Sequence, residues 1–287
     1  MKIKSFLIFL LLIFPCLMLK AQTWGPEPDP VRDNRPARLG KTETIDTSVM
    51  ECVYEHMIYD PSLKKTRLTD YILEIGKNAS RYSVYGTYQR DSIIKTDYPD
   101  GLTYGEYTIL SQKYGASLNQ IIRYKNTGKL SYYERLFAER YVYEEPIPDI
   151  DWTLVNDKDE ICGHECLKAT CSFRGRDWTA WYCPEIEIDG GPWKFGGLPG
   201  LILKVEDSEK EHIFEAFQVR KSNNKISYSV SSDIFQTDRK AFNKMLADFY
   251  KNPGAFLEGN PLMPTTVDGK PAIKKGKRRF FNPIEKE

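Results

Sequence analysis

The chain lacks a surplus of either charge: 41 Lys+Arg stand against 40 Asp+Glu in 287 residues. Nucleic-acid binders carry a clear basic excess, so that class is excluded. Histidine is scarce, with three in all. His56, His164 and His212 each fall in a strand-like segment, not on a glycine-rich turn. There is no HExxH, no G-x-S-x-G, no P-loop and no GxGxxG. A triad assembled in space stays open, but nothing local supports one. Beyond the first 21 residues no apolar run approaches the roughly 20 residues that a membrane-spanning helix needs. Hydrophobic residues at 41% and aromatics at 13% suffice for a packed core. A chain of this size buries roughly 70–75% of its unfolded surface, so it needs neither metal nor disulfide to fold.

Residues 1–21, MKIKSFLIFLLLIFPCLMLKA, have the secretory signal pattern. Lys2 and Lys4 form the positive start, Phe6 to Phe14 the apolar run, and Ala21 a small residue before cleavage at Gln22. The run is too short to cross a bilayer core. Cys16 follows Pro15, where a lipidated cysteine follows a small residue, so acylation is not expected. Removing the signal takes away three lysines and no acid, leaving a net charge of 38 − 40 = −2 and five cysteines. The expected location is the periplasm or the outer-membrane surface.

Residues 22–44 are rich in Pro, Gly, Asp and Arg, without an apolar period, and read as a flexible leader. Residues 45–287 read as a single β-rich domain. Short runs rich in Tyr, Val, Ile, Phe and Trp, separated by Gly, Pro, Asn and Asp, place strands at 50–59, 67–75, 80–86, 118–125, 129–135 and 138–144. Further strands are expected at 151–156, 164–173, 177–183, 201–206, 212–220 and 225–231. Residues 88–114 are ambiguous between a short helix and an insertion over the sheet. One clear helix is expected at 238–250, where Phe242, Met245, Leu246 and Phe249 make one apolar stripe, with Thr237 as N-cap and Asn252-Pro253 as stop. The cationic stretch from 270 to 279 reads as a solvated loop. The expected fold is mainly β: a large curved antiparallel sheet or half-barrel with one or two helices packed across it.

Cys162-Gly-His164-Glu-Cys166, followed by Cys171 and Cys183, is the densest cluster of soft ligands. Its spacing fits no standard zinc ribbon, and outside the cytosol a disulfide is the stronger expectation. No metal or cofactor is expected. If 164–173 and 176–183 form a hairpin around Arg174-Gly175, paired residues sum to 349 and Cys166 falls opposite Cys183. A turn shifted by one residue makes the two diagonal. The partners of Cys52, Cys162 and Cys171 stay open.

The segment from Asp189 to Gly200, DGGPWKFGGLPG, is dense in Gly and Pro, which implies tight turns and fixed backbone. Trp193, Lys194, Phe195 and Leu198 are its candidate binding residues; Gly197, Pro199 and Gly200 are structural turn residues that aim the strand after them. Both a binding loop and a structural loop have this composition.

These residues carry a family resemblance. Gly197-Leu-Pro-Gly-Leu-Ile202, preceded by Gly191-Pro-Trp-Lys-Phe195, resembles the GLPGLI family of exported proteins of Bacteroidota-type bacteria. Ile72-Leu-Glu-Ile-Gly76, Tyr143-Glu-Glu145 with Trp152, Gly163-His-Glu-Cys166 and the closing Asn282-Pro-Ile-Glu285 fit the same pattern. The family carries no established activity, cofactor or catalytic residue, so none is transferred. A fainter likeness in the rhythm of the late strands is to LolA/LolB-type lipoprotein carriers, a half-barrel with helices across its open side. Asp91-Ser92-Ile93 matches the short pattern that such bacteria O-glycosylate, which makes Ser92 a glycosylation candidate. Three functions compete: a binding or carrier protein for a hydrophobic or peptide-like ligand, an accessory subunit of an outer-membrane complex, and an uncharacterised envelope enzyme. The first explains the aromatic content and the missing catalytic motifs, and its partner is an envelope ligand.

Overall fold

The computed structural model describes residues 29–136, 139–230, 233–253 and 279–286. The signal segment 1–21, Cys16, the cleavage point at Gln22 and most of the cationic stretch lie outside them. Strand at 51% against helix at 18% makes the class mainly β.

The strands in chain order are β1 (Lys41–Asp60), β2 (Lys65–Gly76), β3 (Ala79–Val84), β4 (Gln120–Tyr124), β5 (Lys129–Leu136) and β6 (Glu139–Pro146). There follow β7 (Thr153–Ile161), β8 (His164–Phe173), β9 (Arg176–Cys183), β10 (Leu201–Asp207), β11 (His212–Lys221), β12 (Lys225–Val230) and β13 (Ile234–Thr237). They form one open sheet in the order β13-β6-β5-β4-β3-β2-β1-β11-β10-β9-β8-β7, with β12 on the first part of β1. Neighbours are antiparallel except β13, which runs parallel to β6, so the sheet is mixed. The sequence did not anticipate β13, whose four residues are too few to show a period.

Four helices are described, against the one or two expected. The ambiguous stretch holds α2 (Tyr85–Asp97) and α3 (Tyr104–Tyr114), after a short α1 (Pro30–Asp33). A capping box starts α3: Thr103 accepts from the Glu106 amide, and the Glu106 carboxylate accepts from the Thr103 amide. The last helix, α4 (Arg239–Lys251), lies where the apolar stripe predicted it, with Phe242 and Phe249 buried. Its N-cap is Asp238, not Thr237; the Asp238 carboxylate accepts from the Ala241 amide at 2.9 Å. The expected leader is structured before its end. Lys41 to Thr44 pair with β12, and the backbone of Arg35 and Ala37 bonds to Tyr104 and Leu102.

Alternation sorts the two faces of the sheet. One face carries Cys52, Tyr54 and His56 of β1, Tyr71 and Leu73 of β2, Tyr82 of β3, Ile121 of β4, Tyr132 of β5 and Phe214 of β11, and most of these belong to the main core. The reverse face of β1 to β3 buries charge. Glu51 accepts from Arg220, Ser222, Asn224 and, on α2, Tyr88, while Arg81 pairs with Glu74 at 2.7 Å. Burial pushes the Glu51 carboxyl up, but these donors hold it below its usual range.

The β8–β9 hairpin has the expected register, with Leu167, Ala169 and Cys171 opposite Tyr182, Ala180 and Trp178. Arg174 and Gly175 both have positive φ, at 53° and 74°, as a two-residue type I′ turn requires. The expected Cys166–Cys183 bridge is absent: all five described cysteines are free. Pairing between β8 and β9 stops at Leu167 and Tyr182, one residue short. Beyond it Cys183 keeps its pairing with Leu201 and Cys166 with Asp159, but no ladder pairing holds the two cysteines opposite each other.

Candidate functional site

The core face of the sheet is not filled evenly. Between it, helix α4 and the C-terminal segment 279–286 lies a cleft of about 710 Å³. Its floor is aromatic: Tyr71, Tyr82, Tyr132, Tyr143, His56 and Phe214 come from six strands of one face. These rings are packed on one another, with Tyr71 on Tyr82 at 4.8 Å, Tyr132 on Tyr143 at 5.0 Å and His56 on Phe214 at 3.8 Å. Phe242 of α4 closes over Tyr132 and Tyr143 at 5.8 and 5.7 Å. Such stacks fix ring orientation and resist collapse of the cleft.

Two buried cations hold the cover in place. Arg176 opens β9 and is 5% exposed. It donates to the carbonyls of Ile284 and Pro283 and to Asn282 Oδ1, and pairs with Asp207 at 2.6 Å and Glu211 at 2.8 Å. Lys194, in the Gly/Pro loop, is 1% exposed. Its Nζ lies 2.5 Å from Glu145 and 2.6 Å from Glu285, and donates to the Tyr143 hydroxyl at 3.0 Å. Glu285 also accepts from Arg239 and Asn243 of α4. Burial pushes the Glu285 carboxyl up, yet Lys194, Arg239 and Asn243 hold it below its usual range. The closing Asn282-Pro-Ile-Glu285 is thus a strap tied to the loop, to the β8–β9 hairpin and to α4.

The Gly/Pro loop turns inward. Phe195 packs against Trp178 at 4.8 Å and Trp193 at 5.3 Å. Arg123 of β4 donates to the carbonyls of Trp193 and Phe195, Trp152 to that of Gly196, and the Gly197 amide to Asp189. Burial pushes the Arg123 guanidinium down to about 10. Gly200 has φ 150°, and a Cβ there would lie 2.2 Å from the Cys183 carbonyl oxygen. No side chain fits, so Gly200 lets the chain pass β9 into β10.

Of the four loop residues offered as ligand contacts, Trp193 lines the cleft; Lys194, Phe195 and Leu198 do not. Phe195 and Leu198 are core, and Lys194 is a tie, so for these three the binding reading is replaced by a structural one. Gly197 takes φ 85° and Gly200 takes its positive φ in the turn before β10. Ser92 is exposed on α2.

The mouth of the cleft is electropositive. Arg67, Arg135, Lys240, Lys244 and Lys286 line it, against Glu134 and the already paired Glu285; Lys244 and Lys286 are themselves paired with Asp248 and Glu209. Burial pushes the Glu134 carboxyl up, and Asn119 donates to it. Deeper in, the buried Tyr82 hydroxyl has no hydrogen-bond partner among the described residues. His56 and His212 are hydrogen-bonded to each other at 3.1 Å. Burial pushes both down, His212 to about 3 and His56 well below the ordinary histidine value, so the pair is neutral. Sequence reasoning missed Arg67, Glu134 and Lys240, because they are scattered over the chain and join only through the sheet order.

No curated protein matches the chain. A family model described as a protein of unknown function (Porph_ging) matches residues 174–204, which run from the turn before β9 through the Gly/Pro loop into β10. That match is consistent with a GLPGLI-type family, and no likeness to LolA/LolB-type carriers is brought out. Among solved structures the chain is similar to PNGF-II in two crystal forms, at 14% identity, with TM-scores of 0.47 and 0.46. Each similarity covers 72% of this chain, and the chain spans 34% of those structures.

Proposed function

We propose that this chain is a non-catalytic binding protein of the cell envelope. Its ligand is an amphipathic molecule, an apolar body with an anionic head, held between the sheet and α4. The observation that carries the reading is the cleft of about 710 Å³: an aromatic floor, a tied cover and a positive mouth. Binding sites are concave and mostly apolar, with a few placed polar groups. Here those groups are the Tyr82 hydroxyl inside and Arg67, Arg135 and Lys240 at the rim. The pairing of His56 with His212 occupies two of the three histidines and leaves them neutral, which supports a structural role for both. Export rests on the signal pattern of residues 1–21.

An accessory role through the sheet edge has less support. The edge strand β7 carries Asp157, Lys158, Asp159 and Glu160 in a row, beside a register shift. Charges and bulges on an edge oppose pairing with another strand.

Native mass spectrometry of the protein purified from its own envelope tests the proposal. It expects a second mass of lipid size that leaves on collisional activation. A bare chain, or one that carries only another protein, contradicts it.

A further inference from the structure

We propose that His164, Cys183 and Glu185 form a binding site for one zinc-type divalent cation, apart from the cleft. One ligand atom from each residue, an imidazole nitrogen, a thiol sulfur and a carboxylate oxygen, lies within 4.8 Å of the others. Nitrogen, sulfur and oxygen at about 2.0–2.3 Å are zinc's usual donors. Tetrahedral bonds of those lengths put neighbouring donors about 3.3–3.8 Å apart. The three need to close by about 1 Å, within reach of the exposed Glu185 side chain.

The local chain explains why these donors converge. His164 is the first residue after the turn Cys162-Gly163, whose two positive φ values of 54° and 76° make a rigid type I′ connection between β7 and β8. Cys183 ends β9, and its carbonyl accepts from the Ile186 amide at 3.3 Å. That tight turn brings Glu185 back beside Cys183. The backbone of Cys183 is held from the other side by Leu201, with Gly200 packed on its carbonyl. All three donors therefore sit on strand ends or tight turns, the arrangement that pre-organises a metal site.

None of the three side chains has a competing partner among the described residues. No hydrogen bond or ion pair engages the His164 ring, the Glu185 carboxylate or the Cys183 thiol, while most neighbouring acids in β8 to β11 are paired. Binding would release the thiol proton to solvent and leave the fourth tetrahedral position to water. A carboxylate, an imidazole and a thiolate together balance the cation's two charges.

Cobalt(II) titration of the reduced full chain tests the site. One equivalent is expected to give visible bands of tetrahedral intensity together with a thiolate-to-cobalt charge-transfer band in the near ultraviolet, both abolished by zinc. His164→Ala and Glu185→Gln, at positions outside the core, are each expected to weaken cobalt binding at least tenfold. Glu187→Gln, an exposed acid two residues away, is expected to leave it unchanged. Absence of the thiolate band, or an unaltered titration in both His164→Ala and Glu185→Gln, overturns the proposal.

Discussion

Lys194→Met removes the cation that ties the Gly/Pro loop to the C-terminal strap. In the native protein its Nζ bridges Glu145 at 2.5 Å and Glu285 at 2.6 Å, all three being well shielded from water. Methionine fills nearly the same volume, so little of the effect comes from a cavity. The two carboxylates keep Arg174 at 2.8 Å and Arg239 at 2.7 Å, but lose the charge between them. Removing one partner of a buried pair costs about 3–5 kcal/mol, because the remaining charge is left under-compensated. For a domain of this size, about 2–4 °C per kcal/mol translates to a fall in Tm of about 6–20 °C. Urea unfolding at pH 7, followed by tryptophan fluorescence, measures it. The strap gives a second signal: amides of Ile284 to Lys286 should exchange faster in the variant than in the native chain. A loss below about 1 kcal/mol with unchanged exchange refutes the reasoning, since it would mean that Lys194 is solvated and the strap is held by other contacts.

Gly200→Ala should cost about 3–5 kcal/mol in the same urea assay, the sum of positive-φ strain and a backbone clash with Cys183, whereas Pro199→Ala should cost about 1 kcal/mol or less. A Gly200→Ala chain as stable as the native one contradicts the steric account. The buried His212 is neutral in the fold and protonates freely when unfolded, so its contribution is complete above about pH 6.5 and is lost as the pH falls toward about 3. Between pH 7 and 5 that is about 2 kcal/mol, and the difference in pH slope between the native chain and His212→Asn isolates it. Glu285 has the ordinary carboxylate sign: its depressed value stabilises the fold above about pH 4.5, and that stability disappears as the pH falls through the folded-state value. The strap should therefore exchange faster at pH 3 than at pH 6 after correction for intrinsic rates, and equal protection would count against the tie. Intact mass of protein from its own host should exceed that of the bare mature chain by a glycan on Ser92; equality removes that site.

The strands were legible because their residues alternate and glycine or proline punctuates them. The 164–183 hairpin was legible to within one residue, and of its two candidate turns the one at Arg174-Gly175 is formed. The helices α2 and α3 were not legible. Only Arg90 and Ile94 of α2 are buried and none of α3, so neither shows an apolar stripe. The Gly/Pro loop stood out by composition, but not what it holds: Lys194 meets acids at 145 and 285, distances along the chain that no local pattern spans. The cysteine pairing failed for a different reason. The hairpin register was right, but pairing between β8 and β9 stops at Leu167 and Tyr182, one residue before the two cysteines.

Whether the cleft takes an anionic amphiphile is tested most directly by titrating a fluorescent fatty acid into the native chain and into Ala247→Trp. Ala247 is exposed on α4 and lines the cleft, so tryptophan there blocks the space without disturbing the core. The account predicts saturable 1:1 binding to the native chain, at least tenfold weaker binding to Ala247→Trp, and weaker binding of the same chain bearing a quaternary ammonium head. No saturable binding, or equal affinity in the blocked variant, contradicts it.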